Sequence, residues 1–92
     1  MGAKAEIGWK RRTDEGVRRD VYAQHVGNEW RFYAREQRYE PWQVVEHPPL
    51  EDWLELLDSV RRRIQRRLLR PEEEQRVIKT IRERFPDAGN IE

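Results

Sequence analysis

Residues 17–35 have the sequence VRRDVYAQHVGNEWRFYAR, in which two alternating runs of side chains flank Gly27-Asn28. A two-residue connection that permits positive φ is the usual turn of a tight β-hairpin. The register follows from this turn. It predicts His25 opposite Trp30, Ala23 opposite Phe32 and Val21 opposite Ala34 on one face, with Gln24 opposite Arg31, Tyr22 opposite Tyr33 and Asp20 opposite Arg35 on the other. A slip of one residue would mix the two faces, so the pattern favours this pairing.

A further strand, from about Ala5 to Thr13, precedes the hairpin and joins it through Asp14-Glu15-Gly16. A three-residue loop with glycine in the left-handed conformation is a common hairpin connection. It predicts that Ile7 pairs with Ala23, Trp9 with Val21, Lys10 with Asp20 and Gly8 with Tyr22, whose ring should use the room left by the glycine. The inward apolar face then comprises Ile7, Trp9, Val21, Ala23, Phe32 and Ala34.

A short fourth strand is expected after the hairpin. The third strand can continue to Arg38 or Tyr39, until Pro41 removes a backbone donor and limits central pairing. Residues 42–46 then suit an edge strand beside the third strand. In that position Trp42 and Val44 are expected to face the core.

Two amphipathic helices follow, because apolar residues recur at spacings of three and four after each of two prolines. The first helix is predicted over residues 49–69. Its apolar positions are Leu50, Trp53, Leu54, Leu57, Val60, Ile64 and Leu68. The second is predicted over residues 71–84, with Val77, Ile78, Ile81 and Phe85 as its stripe, and Pro86 ends it.

Strands followed by helices indicate an α+β fold. We expect a three- to four-stranded antiparallel meander followed by two C-terminal helices packed on one sheet face. Ninety-two residues suggest a single domain, here residues 5–85. Residues 1–4 are expected to form a flexible N-terminus and residues 86–92 a flexible tail.

Composition limits the class of protein. Charged residues make up 40% of the chain, which by itself favours disorder, but four Trp, three Tyr and two Phe with clear periodicity favour a folded domain. The absence of cysteine excludes disulfides and thiolate metal sites. No apolar run approaches the length of a membrane span, and the N-terminal residues lack the apolar core of a signal peptide. We therefore expect a cytoplasmic protein that does not enter a membrane.

The net charge of +1 conceals a strong segregation of charge. Residues 1–39 carry nine basic and six acidic side chains, residues 40–60 carry six acids and no base, and residues 61–70 carry six arginines and no acid. Such blocks are typical of solvated or interacting faces, where the local sign matters more than the total.

Residues suited to catalysis are scarce. The chain has two histidines, and its one serine, Ser59, lies within the first predicted helix. Neither His25 nor His47 has a second ligand at metal-binding spacing, and the five glycines form no phosphate-binding loop. We therefore expect no enzyme, cofactor or metal site.

The second face of the meander is basic and aromatic. It carries Lys10, Arg12, Arg18, Tyr22, Gln24, Arg31, Tyr33 and Arg35, with Asp20 among them. Aromatic rings interleaved with arginine on an open sheet suit single-stranded nucleic acid, because bases stack on rings and phosphates pair with guanidinium groups. The simpler interpretation is an ordinary solvated sheet face with a cross-strand Tyr pair.

The arginines at the end of the first helix are a second candidate for phosphate contact, namely Arg62, Arg63, Arg66, Arg67 and Arg70. They also complement the helix dipole, and the acids at 72–74 lie close enough in sequence to pair with some of them.

These features favour a small non-enzymatic binding module with single-stranded nucleic acid as the leading partner. The alternative is a protein-interaction or homo-oligomeric accessory protein, in which the acidic residues from Glu40 to Asp58 meet the arginines of another copy. Trp42 and Trp53 would then be anchors, although ordinary core positions are the simpler interpretation of both.

Overall fold

A computed structural model describes residues 6–89 of the chain. The elements are β1 (Glu6–Arg12), β2 (Arg18–Val26), β3 (Glu29–Arg35), β4 (Gln43–Val45), α1 (Leu50–Gln65) and α2 (Glu72–Arg84). The strands form one antiparallel sheet in the order β1-β2-β3-β4, so the predicted α+β meander with two C-terminal helices is confirmed. The predicted flexible N-terminus, the strand residue Ala5 and residues 90–92 of the predicted tail lie outside the described residues.

The chain divides into two compact units between Pro48 and Pro49. The first unit contains the sheet and the second contains the helix pair. The packing of the helices on one sheet face, and a single domain over residues 5–85, stay predictions.

The predicted register of the central hairpin is confirmed at every pair. His25 lies opposite Trp30, Ala23 opposite Phe32, Val21 opposite Ala34, Gln24 opposite Arg31, Tyr22 opposite Tyr33 and Asp20 opposite Arg35. Gly27 has a φ of 62°, while Asn28 is not among the positive-φ residues of the described chain. This is the pattern of a type II′ turn, which needs positive φ only at its first central residue.

The connection between β1 and β2 is also as predicted. Thr13 and Val17 close the loop through a backbone hydrogen bond of 2.8 Å, and Val17 N–H donates to Thr13 Oγ1 at 3.1 Å. Gly16 takes a φ of 83°. The β1–β2 register follows, with Ile7 opposite Ala23, Gly8 opposite Tyr22, Trp9 opposite Val21 and Lys10 opposite Asp20.

The fourth strand exists, but its predicted orientation is wrong. Val44 lies opposite Tyr33 and Val45 opposite Phe32, so Val44 shares the face of the tyrosines and is 63% exposed. Trp42 is also on that side, where it contacts Tyr22. Val44 and Val45 are adjacent and therefore face opposite sides of the sheet, so hydrophobicity alone does not decide which valine faces inward.

The opposite face of the sheet carries its buried side chains. Ile7, Val21, Ala23 and Phe32 are each at most 3% exposed. Trp9 lies beside Phe32 in an edge-to-face contact, with ring centroids 6.1 Å apart. The predicted apolar face is therefore largely the buried one.

α1 begins after Pro49, with Glu51 and Asp52 in its first turn, where the helix dipole favours acids. Trp53, Leu57 and Val60 are buried, as the sequence predicted. The predicted stripe was wrong at Leu54, which is 39% exposed, and it omitted Leu56, which is fully buried. Leu50-Leu54-Leu57 and Trp53-Leu56-Leu57-Val60 both have helical spacing, and the structure buries the second set.

α1 ends four residues earlier than the predicted end at 69. Arg67 has a φ of 61°, the N–H of Leu68 donates to the carbonyl of Arg63, and the N–H of Arg67 donates to that of Ile64. These are the two hydrogen bonds of a Schellman motif, which usually has glycine in the left-handed position. With arginine in that position, no residue of the sequence marks the end of α1. Leu68 is 61% exposed beyond the helix end.

α2 follows Pro71 with Glu72, Glu73 and Glu74 in its first turn. Val77, Ile78 and Ile81 are buried as predicted, whereas Phe85 is half-buried. An ion pair joins the two helices, since Arg61 Nε lies 2.6 Å from Glu74 Oε2.

Candidate functional site

The register brings the predicted sheet residues together on one surface, which we call the basic–aromatic face. The strands place Tyr22 and Tyr33 side by side in one row, and Lys10, Asp20 and Arg35 in the next. The full predicted set on this face is Lys10, Arg12, Arg18, Tyr22, Arg31, Tyr33 and Arg35. Their common face follows from the alternation of side chains along paired strands.

Three aromatic rings form a continuous cluster on this face. Tyr22 and Tyr33 stack across the strands, with centroids 4.8 Å apart and an interplanar angle of 17°. Trp42 meets Tyr22 edge-to-face, with centroids 4.7 Å apart at 87°. Both arrangements are favoured by ring electrostatics. The sequence predicts Trp42 on the core side, but its side chain lies on this face and is 36% exposed.

Arg35 contacts the aromatic cluster at Trp42. Its Cζ lies 4.1 Å from the centroid of the Trp42 ring, a cation–π geometry. Its Nε lies 3.8 Å from Asp20 Oδ2. Arg35 is thus engaged with its own neighbours, and its predicted role in contacting a phosphate stays a prediction.

A depression of about 680 Å³ lies on the β1 side of the cluster. Its lining includes Gly8, Lys10, Tyr22 and Trp42, and the carboxylates of Glu6 and Asp20 also border it. Its volume falls within the range of about 300–1,000 Å³ that is usual for small-ligand sites. A flat group placed here would lie beside aromatic side chains, the ammonium group of Lys10 and two acidic residues.

A second depression, of about 350 Å³, is lined by cationic residues only: Lys10, Arg11, Arg12 and Arg18. Arg12 Nη1 donates to the carbonyl of Gly16 at 3.2 Å, which fixes that guanidinium beside the β1–β2 loop. Within residues 6–89, Lys10 and Arg18 form no ion pair. This concentration of positive charge suits a phosphate group.

The environment of Tyr22 favours its neutral phenol. Partial burial raises the pKa of Tyr22 above its ordinary value, and the neighbouring Tyr33 and the Glu6 carboxylate raise it further. Glu6 is held in place by Gln24 Nε2, which donates to Glu6 Oε2 at 3.1 Å. Tyr22 therefore presents an uncharged ring at neutral pH.

The arginines of residues 62–70 lie in the other unit and are not all equivalent. Arg62 pairs with Asp58 at 3.1 Å and donates to Ser59 Oγ at 3.2 Å. In the described part of the chain, Arg66, Arg67 and Arg70 are exposed and form no ion pair. The predicted pairing with the following acids is made by Arg61, not by these three. Arg63 is half-buried.

No group of three or more His, Asp or Glu side chains is placed to hold a metal ion within residues 6–89. No helix in the same range is long and apolar enough to cross a membrane.

No protein family matches the sequence, and neither curated proteins nor solved structures include one that is significantly similar to it.

Proposed function

We propose that this protein is a small non-enzymatic module that binds single-stranded nucleic acid through its basic–aromatic face. The observation that carries the proposal is the three-ring cluster of Tyr22, Tyr33 and Trp42 on the same face as Lys10 and Arg18, which form no ion pair within residues 6–89. Stacking on aromatic rings needs unpaired bases, because bases in a duplex are already stacked.

The cations around the cluster support the same proposal. Lys10 and Arg18 line the cationic depression, and Arg31 is exposed on β3 without an ion pair among the described residues. Phosphate contacts by such residues supply affinity without sequence preference. The combination of stacking and phosphate contact is typical of sequence-tolerant single-strand binders.

The test replaces Trp42, the third ring of the cluster. Trp42→Leu keeps an apolar side chain but removes the aromatic surface, and it should weaken binding of a labelled single-stranded oligonucleotide by about 1–3 kcal/mol, the range for one base–aromatic stack. Fluorescence anisotropy measures the affinity.

Tyr39→Leu is the matched control, because Tyr39 is 86% exposed and takes part in no ring contact of the described chain. Equal affinities of the Trp42 variant and the parent protein would show that the cluster is not the binding site.

The second candidate is homo-oligomerisation or binding of a protein partner. It is favoured by the exposed side chains of Arg66, Leu68 and Arg70 beyond the end of α1. Trp53 does not support it, since that side chain is only 3% exposed. Analytical ultracentrifugation would detect a salt-sensitive dimer that Arg66→Glu with Arg70→Glu abolishes, and a monomer at high concentration would exclude self-association.

A further inference from the structure

Gly8 stands in the middle of β1, where glycine is an unfavourable residue. A strand-interior glycine loses conformational entropy on folding and contributes no side chain to packing. Gly8 is not among the positive-φ residues, so its backbone does not require glycine. A Cβ at this position would meet only Val21 O at 3.6 Å and Tyr22 Cβ at 3.8 Å, which are ordinary contacts. The fold therefore does not explain this glycine.

The space above Gly8 is not used by the protein itself. The sequence predicted that the Tyr22 ring would occupy it, but the ring stacks on Tyr33 instead. No atom of that ring lies within 4 Å of a Cβ built on Gly8. Because Tyr33 and Gly8 lie on opposite sides of Tyr22, the ring face that does not stack on Tyr33 lies on the β1 side. A glycine in a strand often marks a place where a ligand approaches the backbone closely.

The depression above Gly8 adjoins the cationic depression, because Lys10 lines both. Tyr22 and Trp42 line the first depression, and only cationic residues line the second. The pair of depressions therefore presents an aromatic surface next to an anion site along β1.

We propose that these two depressions bind a single nucleotide unit of an unpaired strand. The base enters the space above Gly8 and stacks on the β1 side of the Tyr22 ring, and the adjoining phosphate is bound by Lys10, Arg12 and Arg18. This inference rests on the proposed function and adds to it a defined base subsite whose entry depends on Gly8.

The carboxylates of Glu6 and Asp20 fix the direction of the nucleotide. Both border the depression above Gly8, where their negative charge disfavours a phosphate. Neither lines the cationic depression. The phosphate therefore lies at the Arg12 and Arg18 end of β1, and the base lies at the Gly8 end.

The test fills the base subsite without removing any group that contacts the nucleotide. Gly8→Leu places a side chain in the space above β1, whereas Gly8→Ala adds only the Cβ that the structure accommodates. Both substitutions replace a strand glycine, so thermal unfolding should show neither variant to be less stable than the parent protein.

Binding is measured with two labelled oligomers of about eight nucleotides, within the usual site size of single-strand binders. One is oligodeoxyadenylate and the other has abasic residues in place of every base, with the same number of phosphates. We expect the parent protein to bind oligodeoxyadenylate at least about fivefold more tightly than the abasic oligomer, the lower limit for one stacked base. Gly8→Leu should lower this preference by about fivefold, the contribution of one stacked base, and Gly8→Ala should retain most of it.

The phosphate contact has its own readout. Lys10→Gln with Arg18→Gln should lower the slope of log affinity against log salt concentration by about 1.4, or 0.7 per lost contact. Lys79→Gln, an exposed lysine of α2, is the control and should leave the slope unchanged.

The outcomes separate the two proposals. If Gly8→Leu retains the full preference for oligodeoxyadenylate, the base subsite is wrong while single-strand binding by the ring cluster stands. If the parent protein binds both oligomers equally, no base stacks on the cluster and both proposals fail. An unchanged salt slope in the Lys10 and Arg18 variant would overturn the phosphate position. If the parent protein binds neither oligomer at low salt, the proposed function itself fails.

Discussion

At the scale of single residues, the position of Trp42 differs from the one that its sequence predicts. The sequence predicts correctly that Trp42 and Val44 share one face, but that face is the one of the tyrosines and not the core. A tryptophan usually belongs to a core, yet here the indole is held outside by the Arg35 guanidinium at 4.1 Å and by the Tyr22 ring. These partners come from two other strands, so their contribution cannot be judged from residues 42–46 alone.

Arg67 gives a stability prediction at the same scale. Its φ of 61° is unfavourable for a residue with a Cβ, by about 1–2 kcal/mol. Arg67→Gly removes that strain, and the extra freedom of glycine in the unfolded chain offsets part of the gain. We expect the free energy of unfolding, measured in urea, to rise by about 0.5–1 kcal/mol.

Arg66→Gly is the matched control, because Arg66 has a φ of −88° and gains nothing from glycine. That variant should be less stable than the parent protein by about 0.5–1 kcal/mol. A destabilised Arg67→Gly variant would contradict the left-handed conformation at the end of α1.

The phenol of Tyr22 gives a pH prediction. Its pKa is raised above the ordinary 10.0 because burial, Tyr33 and Glu6 disfavour the phenolate. The folded state therefore retains the proton at pH values where the unfolded state has lost it. The resulting stability is present below about pH 10 and is lost as pH rises through the folded pKa.

Ultraviolet titration of the phenolate absorbance, compared with Tyr22→Phe, isolates this group. The tyrosine titration that disappears in the variant should have a pKa above that of free tyrosine. A pKa at or below the ordinary value would mean that Tyr22 does not lie against Glu6 and Tyr33 as described.

At the scale of elements, the meander was predictable and the element ends were less so. The β1–β2–β3 register followed from two glycine-containing turns and from the chemistry of opposite residues. The end of α1 did not, because arginine takes the place of the glycine that normally marks a Schellman motif. In α1, two overlapping apolar stripes had the same spacing, and only tertiary packing distinguishes Leu54 from Leu56.

The central turn gives the prediction at this scale. Gly27 has a φ of 62°, so Gly27→Ala should lower the free energy of unfolding by about 1–2 kcal/mol. Asn28→Ala should change it by less than about 0.5 kcal/mol, since Asn28 does not need positive φ and is exposed. Similar losses in both variants, measured by urea unfolding, would contradict a turn of type II′.

At the scale of the whole molecule, net charge is a poor guide to function. The total of +1 combines a basic sheet face with an acidic stretch and an arginine-rich stretch. The sequence predicted which cations share the sheet face, because the strand register determines that. It could not predict the two depressions beside Tyr22, since they depend on Tyr22 stacking on Tyr33 and leaving the space above Gly8 open.

The central claim is single-strand binding by the basic–aromatic face, and one titration tests it most directly. Fluorescence anisotropy compares a labelled single strand with the duplex of the same sequence, at low and at physiological salt. We predict micromolar or tighter binding of the single strand, weaker binding of the duplex, and a salt slope of about −2 for roughly three phosphate contacts. Absence of binding at low salt, or equal affinity for the duplex, would contradict the claim.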